Sequence, residues 1–298
     1  LMSLQLKFRT QMFFFCILLG ISTGLQAETN LEQAARLIKA KAFQEAQVLL
    51  ERALQSDPRN AEAMGMMSGL YLAGKNPDKA LEFPEKAIQI DPVKARYYLA
   101  KGKALNLRLQ QVNVLRKLSV ANEMRGAFEK GVQVEPKNRE ARYALFDYYF
   151  KAPGIAGGGL DKAKAFAEQT QALDAPVGHY LKAMVFQKQK NPGAVQAECR
   201  LALTADPRYA PAYNLLGYAE LEMKQVDLAL EHFRKQVDLD PENVNSYDSL
   251  GDGWMAKGRL EEAIQSYRKA LSINPLFIAA QRHLGTALEQ TGRREEAI

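Results

Sequence analysis

The chain states one pattern twice at a fixed distance. Tyr213, Leu216, Gly217, Ala229, Phe233 and Pro241 return 34 residues later as Tyr247, Leu250, Gly251, Ala263, Tyr267 and Pro275. A unit this short cannot enclose a core of its own, so each copy must bury its apolar face against the next. Prolines carry the period through the rest of the sequence. Pro58, Pro92, Pro136, Pro176, Pro207, Pro241 and Pro275 follow one another at 34, 44, 40, 31, 34 and 34 residues. Each is read as closing a second helix, because proline lacks the donor that continuation needs and disfavours helix at the residue before it.

The matched positions have packing reasons. Gly217, beside Leu216 on the first helix of its unit, lets the second helix approach, and Ala229 does the same from the other side; bulk there would cost roughly 1–3 kcal/mol by overpacking. Phe233 and Tyr267 lie one turn beyond Ala229 and Ala263 and fill the space between hairpins. Lys257 and Gly258 break the chain between helices. This register resembles the tetratricopeptide repeat. The resemblance runs over residues 28–298 and implies an all-α fold, a right-handed superhelix (α-solenoid) of about seven and a half helix-turn-helix repeats ending near residues 58, 92, 136, 176, 207, 241 and 275. It implies nothing about chemistry.

Individual units depart from the pattern. The first carries Ala46, Leu50 and Ala53, and the second carries Tyr71, Ala80 and Ala87 but puts Pro84 where an aromatic belongs. Proline inside a helix costs about 3 kcal/mol, so a kink is expected there. The third has Gly102, Leu105, Phe128 and Gly131 with ten residues too many, around Arg108 to Leu118; the first helix is expected to run on, leaving Leu109, Val112 and Leu115 as an exposed partner stripe or as packing for the next unit's loop. In the fourth, Leu145 and Tyr149 are separated from Ala163 and Ala167 by the loop Ala152 to Gly159. Gly154 and Gly159 have phosphate-loop spacing, but Leu160 and Asp161 stand where Lys and Ser or Thr are required. The glycines are read instead as a tight, flexible connection, with Asp161 capping the next helix. The fifth unit places Ala183, Phe186, Cys199 and Ala202 at packing positions, so Cys199 is a buried hydrophobe or, failing that, a reactive thiol. Together, residues 105–188 resemble a secreted bacterial form of tetratricopeptide protein with both enlargements. The last unit begins at Ile278, keeps Leu284 and Gly285, and stops inside a helix at Ile298, so the sequence is read as a fragment or its end as covered by a partner.

Residues 1–27 differ from all that follows. Lys7 and Arg9 precede the apolar run Met12 to Ile21, then small residues and a cleavage point after Ala27. This reads as a secretory signal and a periplasmic or secreted location; the alternative, an uncleaved anchor providing the only membrane contact, needs about 20 apolar residues. Two cations and no acid leave with the segment, taking the net charge from +6 to +4. Lys and Arg are spread along the helices, which with the export signal argues against nucleic acid. One cysteine, Cys199, remains, so no intrachain disulfide can form.

No residue set identifies a reaction. His179, His232 and His283 fall in different repeats without metal-ligand spacing and read as surface or packing residues, and Glu261-Glu262 and Glu295-Glu296 suit the N-termini of second helices. No catalytic residue, cofactor or metal is assigned. The expected function is a non-enzymatic extracytoplasmic scaffold; the alternative is the non-catalytic arm of a secreted enzyme whose active domain lies beyond Ile298. The family resemblance implies that first helices line a concave face holding an extended peptide or a partner helix. Two adapter residues, Lys and Asn at set positions, mark a carboxylate-gripping subclass, and no run of three units here has them. Aligned on Gly or Ala, the first helices turn Tyr143, Asp147, Phe150, Tyr180, Met184, Asn214, Tyr218, Asp248, Asp252 and Met255 inward. Tyrosines with Asp147, Asp248 and Asp252 among them predict a basic peptide segment with apolar residues between, the alternative being ordinary solvated positions. The first two units offer only Gly65, Gly69 and Ala73 there.

Overall fold

The structure, a computed structural model, describes residues 29–296; the expected leader lies outside them. Among the described residues there are fifteen α-helices, two short 3-10 turns and no strand. First and second helices alternate: α1 (Asn30–Lys39) and α2 (Phe43–Ser56), α3 (Ala61–Ala73) and α4 (Pro77–Ile90), α5 (Ala95–Leu109) and α6 (Val114–Val134), α7 (Arg139–Lys151) and α8 (Leu160–Gln171). They continue as α9 (Ala175–Lys188) and α10 (Pro192–Ala205), α11 (Ala210–Glu222) and α12 (Val226–Leu239), α13 (Val244–Ala256) and α14 (Leu260–Ile273), with α15 (Ile278–Gln290) as an opening half. The chain forms two compact units, one up to Val112 and one from Asn113. Within each unit every first helix also touches the first helix of the next hairpin, and no such contact joins second helices among the described residues. The first helices therefore form one continuous layer in each unit, which is where side chains from successive repeats can meet.

The turns explain the period. Pro58, Pro92, Pro136, Pro207, Pro241 and Pro275 each stand two residues past a second helix, and the residue before proline is forced out of the helical region, as at Asp57 (φ −137°, ψ 92°) and Asp206 (φ −145°, ψ 97°). Pro176 differs: it opens α9, after α8 has ended at Gln171. A proline in the first turn loses no helical bond, so the same residue type can mark either end. At the other end of the hairpin, Lys41, Lys75, Lys190, Lys224, Gly258 and Gly292 all take positive φ. Each follows a first helix, and the next amide reaches back five residues, as Gln225 to Glu220 at 2.8 Å and Arg259 to Trp254 at 2.9 Å. This left-handed helix stop favours glycine, yet four of the six carry lysine.

Close approach is visible where the repeat places glycine. A Cβ on Gly217 would lie 2.5 Å from the Phe233 ring, and one on Gly251 would lie 2.3 Å from the Tyr267 ring. In the second hairpin the same two places hold Ser68 and Pro84. Helix α4 runs through Pro84 from Pro77 to Ile90. Proline provides no donor for the Ala80 carbonyl one turn back, and the buried Ser68 hydroxyl donates to that carbonyl at 2.7 Å. The missing ring leaves room for the hydroxyl that the proline requires.

The enlargements correct three expectations. Helix α5 does not run on; it stops at Leu109, and the extra residues lengthen the N-terminal end of α6, which has 21 residues. Asn113 starts that helix, its side chain accepting from the Arg116 amide at 3.2 Å. The glycine loop is fastened rather than loose. The Tyr148 hydroxyl donates to the Ala156 carbonyl at 2.7 Å, the Gly159 amide to the Tyr149 carbonyl at 2.7 Å, and Lys162 Nζ to the Gly157 carbonyl at 3.1 Å. Asp161 does not cap α8: Gly159 occupies the cap without a side-chain bond, leaving Asp161 to act on the first turn by charge alone.

Candidate functional site

The residues expected on the inner face separate into two groups. Over α7 and α9, Tyr143 and Tyr180 form an aromatic row with Tyr209 at the start of α11, a residue the sequence reading did not include. The Tyr143 and Tyr180 rings meet edge to face at 6.2 Å, and Tyr180 meets Tyr209 in the same way at 5.6 Å. Burial pushes the Tyr180 phenol up to about 12 and raises that of Tyr209 as well, so both stay protonated donors. The hydroxyls of Tyr143 and Tyr209 are buried without a hydrogen-bond partner, which ordinarily costs about 1–3 kcal/mol each. Phe150 stacks on Phe146 at 5.5 Å and stays part exposed, as does Met184. Asp147 is half exposed and bridged to Lys151 at 2.7 Å.

From α11 onward the expected residues are joined to one another. Asn214 Nδ2 donates to Gln236 Oε1 at 2.9 Å and to Ser249 Oγ at 2.7 Å. The Tyr218 hydroxyl is 3.1 Å from Ser249 Oγ and donates to Asp252 Oδ2 at 2.7 Å, while Tyr267 donates to Asp252 Oδ1 at 2.8 Å. Asp248 is only 6 % exposed and pairs with His283 Nδ1 at 3.0 Å. Desolvation raises its carboxyl above the ordinary aspartate value, and the His283 bond opposes that rise. Asp248 and Asp252 are therefore already hydrogen-bonded within the chain, Asp248 to His283 and Asp252 to two tyrosines, and are not the freely solvated charges that the expectation of a basic segment assumed. Met255 packs on the core of the last hairpin with Ala263, Ile264 and Tyr267.

The histidines are not isolated surface residues. Each pairs through Nδ1 with a carboxylate on another helix: His179 with Glu198 at 2.7 Å, His232 with the fully buried Glu220 at 2.7 Å, and His283 with Asp248. Glu198 also meets Lys182 at 2.9 Å, and Glu220 Oε1 has no partner. Sequence reading missed these pairs and missed Ser249, Gln236 and Tyr267 as members of the network. The usable signal was the period itself. Residues 34 or 35 apart meet on first helices or at their starts, as Tyr218 meets Asp252, Asp248 meets His283 and Arg139 meets Asp174.

The stripe is broken into pieces. Leu109 closes α5 and is part buried, Val112 lies part buried in the turn, and Leu115 sits on α6, 90 % exposed beside Val114 at 78 %. Leu109 and Leu115 therefore stand on different helices rather than on one. Cys199 is fully buried, and burial pushes its thiol up to about 12, so it is a packing residue rather than a nucleophile.

Helical hairpins in succession, with the first helices forming one layer within each unit, define a helical-repeat protein. A tetratricopeptide repeat family model matches residues 37–104, another matches 210–243, and a TPR repeat model matches 254–292. The crystal structure of a tetratricopeptide repeat protein from Parabacteroides merdae ATCC 43184 superposes with a TM-score of 0.59 at 13 % identity, covering 87 % of this chain and 97 % of that one. No match is found among curated proteins. The chain is a tetratricopeptide-repeat protein, with an all-α solenoid fold. Proteins of this kind are generally non-catalytic scaffolds for protein interaction.

Proposed function

We propose that the chain is an extracytoplasmic scaffold that holds an extended segment of a partner protein along α7, α9 and the start of α11. The observation that carries this reading is the Tyr143, Tyr180 and Tyr209 row, which crosses three consecutive hairpins and contains two phenols without partners. Tyrosine gives a peptide broad apolar contact, and the part-exposed Phe150 and Met184 extend the apolar surface. With Asp147 already bridged to Lys151, the segment that fits is apolar and extended. The leader-like residues 1–27 support the location.

Peptides selected by display on the purified chain test the groove. They are expected to bind the wild type and to lose at least tenfold in affinity to Tyr180→Ala combined with Met184→Ala, with helicity by circular dichroism unchanged. Equal binding to that variant would place the peptide elsewhere and end the assignment.

A further inference from the structure

The three repeats at the C-terminal side bring Asp248, Asp252 and His283 together although they are spread over 36 residues of sequence. We propose that these three side chains form a binding site for a divalent transition cation of the Zn²⁺, Co²⁺ or Mn²⁺ class.

The geometry is that of a coordination shell. His283 Nδ1 stands 3.0 Å from Asp248 Oδ1 and 3.3 Å from Asp252 Oδ1, and one donor atom from each residue lies within 4.8 Å of the others. Donors held about 2.1 Å from one ion are about 3.0 Å apart in an octahedral shell and about 3.4 Å apart in a tetrahedral one, so the cation can enter without moving a helix. The donor set is one imidazole and two carboxylates. Calcium asks for six to eight oxygens, whereas imidazole with carboxylate suits first-row transition ions. The ion takes the Nδ1 lone pair, leaving the ring proton on Nε2.

The surroundings are organised for it. Asp248 and Asp252 lie one turn apart on α13, and His283 reaches them from α15, so the site is held by two helices rather than a loop. Tyr218 and Tyr267 each donate to Asp252, one to each oxygen, which fixes the orientation of that carboxylate as outer partners of metal ligands do. Two carboxylates share one imidazole, with Arg282 adding positive charge at longer range; a cation between them offsets the repulsion that burial intensifies. Side-chain exposures of 8 % for Asp248, 24 % for Asp252 and 27 % for His283 leave the site open along one edge.

The test is a Co²⁺ titration of the chelator-stripped full chain, followed by visible absorption and competed with Zn²⁺. One equivalent is expected to bind with d–d bands, and Zn²⁺ to abolish them and raise the wild-type melting temperature. His283→Gln and the isosteric Asp248→Asn should each weaken Co²⁺ by at least tenfold, while His179→Gln, which alters a different His–carboxylate pair, leaves it unchanged. Absence of saturable binding by the wild type overturns the proposal, whatever the variants do. Unchanged affinity in Asp248→Asn and in a folded His283→Gln overturns it equally, by placing the ion elsewhere.

Discussion

Gly217 and Gly251 show how much a single hydrogen in place of a methyl group can decide. The rings that a Cβ would meet, those of Phe233 and Tyr267, are themselves buried between hairpins and cannot swing clear. Gly217→Ala and Gly251→Ala should each lose roughly 1–3 kcal/mol in chemical denaturation. Gly69, also within a first helix, has nothing within 4 Å of its virtual Cβ, so Gly69→Ala should gain up to about 1 kcal/mol from helix propensity. A Gly251→Ala protein as stable as the wild type would refute the close-approach reading. These glycines were legible because they recur in register. The left-handed turn residues were only half legible: Gly258 announces itself, but Lys41, Lys75, Lys190 and Lys224 do so only once the period is laid over them, since lysine in that conformation runs against a cost of roughly 1–2 kcal/mol.

At the level of the element, Ser68 and Pro84 act as one substitution. Ser68→Ala strands the Ala80 carbonyl inside helix α4 and should cost about 1–3 kcal/mol. In a Pro84→Ala background the alanine amide can take that carbonyl, so the same serine change should cost much less. Equal costs in the two backgrounds of a double-mutant cycle would show that the hydroxyl is not replacing the missing helical bond. The number and order of hairpins could be read from the sequence, because helix-ending prolines recur through most units and two consecutive units carry the full glycine–aromatic pair. The enlarged third place could not. The helical spacing of Leu105, Leu109, Val112 and Leu115 suggested one long helix, whereas a polar N-cap, Asn113, starts a new helix within that run, a signal that apolar periodicity does not register. Pro176 misled for a related reason, since proline is tolerated at a helix start as well as after its end.

For the whole molecule, the proposed export makes a definite statement about the mature chain. If residues 1–27 are a leader, intact mass and N-terminal sequencing of the exported protein should give Glu28 as the first residue and a net charge of +4; a mature protein that retains Lys7 and Arg9 would contradict the leader reading. The inner face was legible as a set of positions but not as a set of partnerships. Tyr143, Tyr180, Met184 and Phe150 remain part open, while Asn214, Tyr218, Asp248 and Asp252 are spent on one another and on His283, because contacts between repeats depend on the pairing of side chains one period apart and not on the motif within either. That pairing limits how such an array can be edited. Copy the hairpin of α11 and α12 in tandem, and the backbone would accept the duplicate, but the original Asn214 would now face a second Leu215 where Ser249 had been, and Tyr218 a second Tyr218 in place of Asp252. The scaffold is interchangeable as architecture, yet its C-terminal hairpins are addressed to particular neighbours, and a graft that ignores the address leaves polar groups with no correspondent.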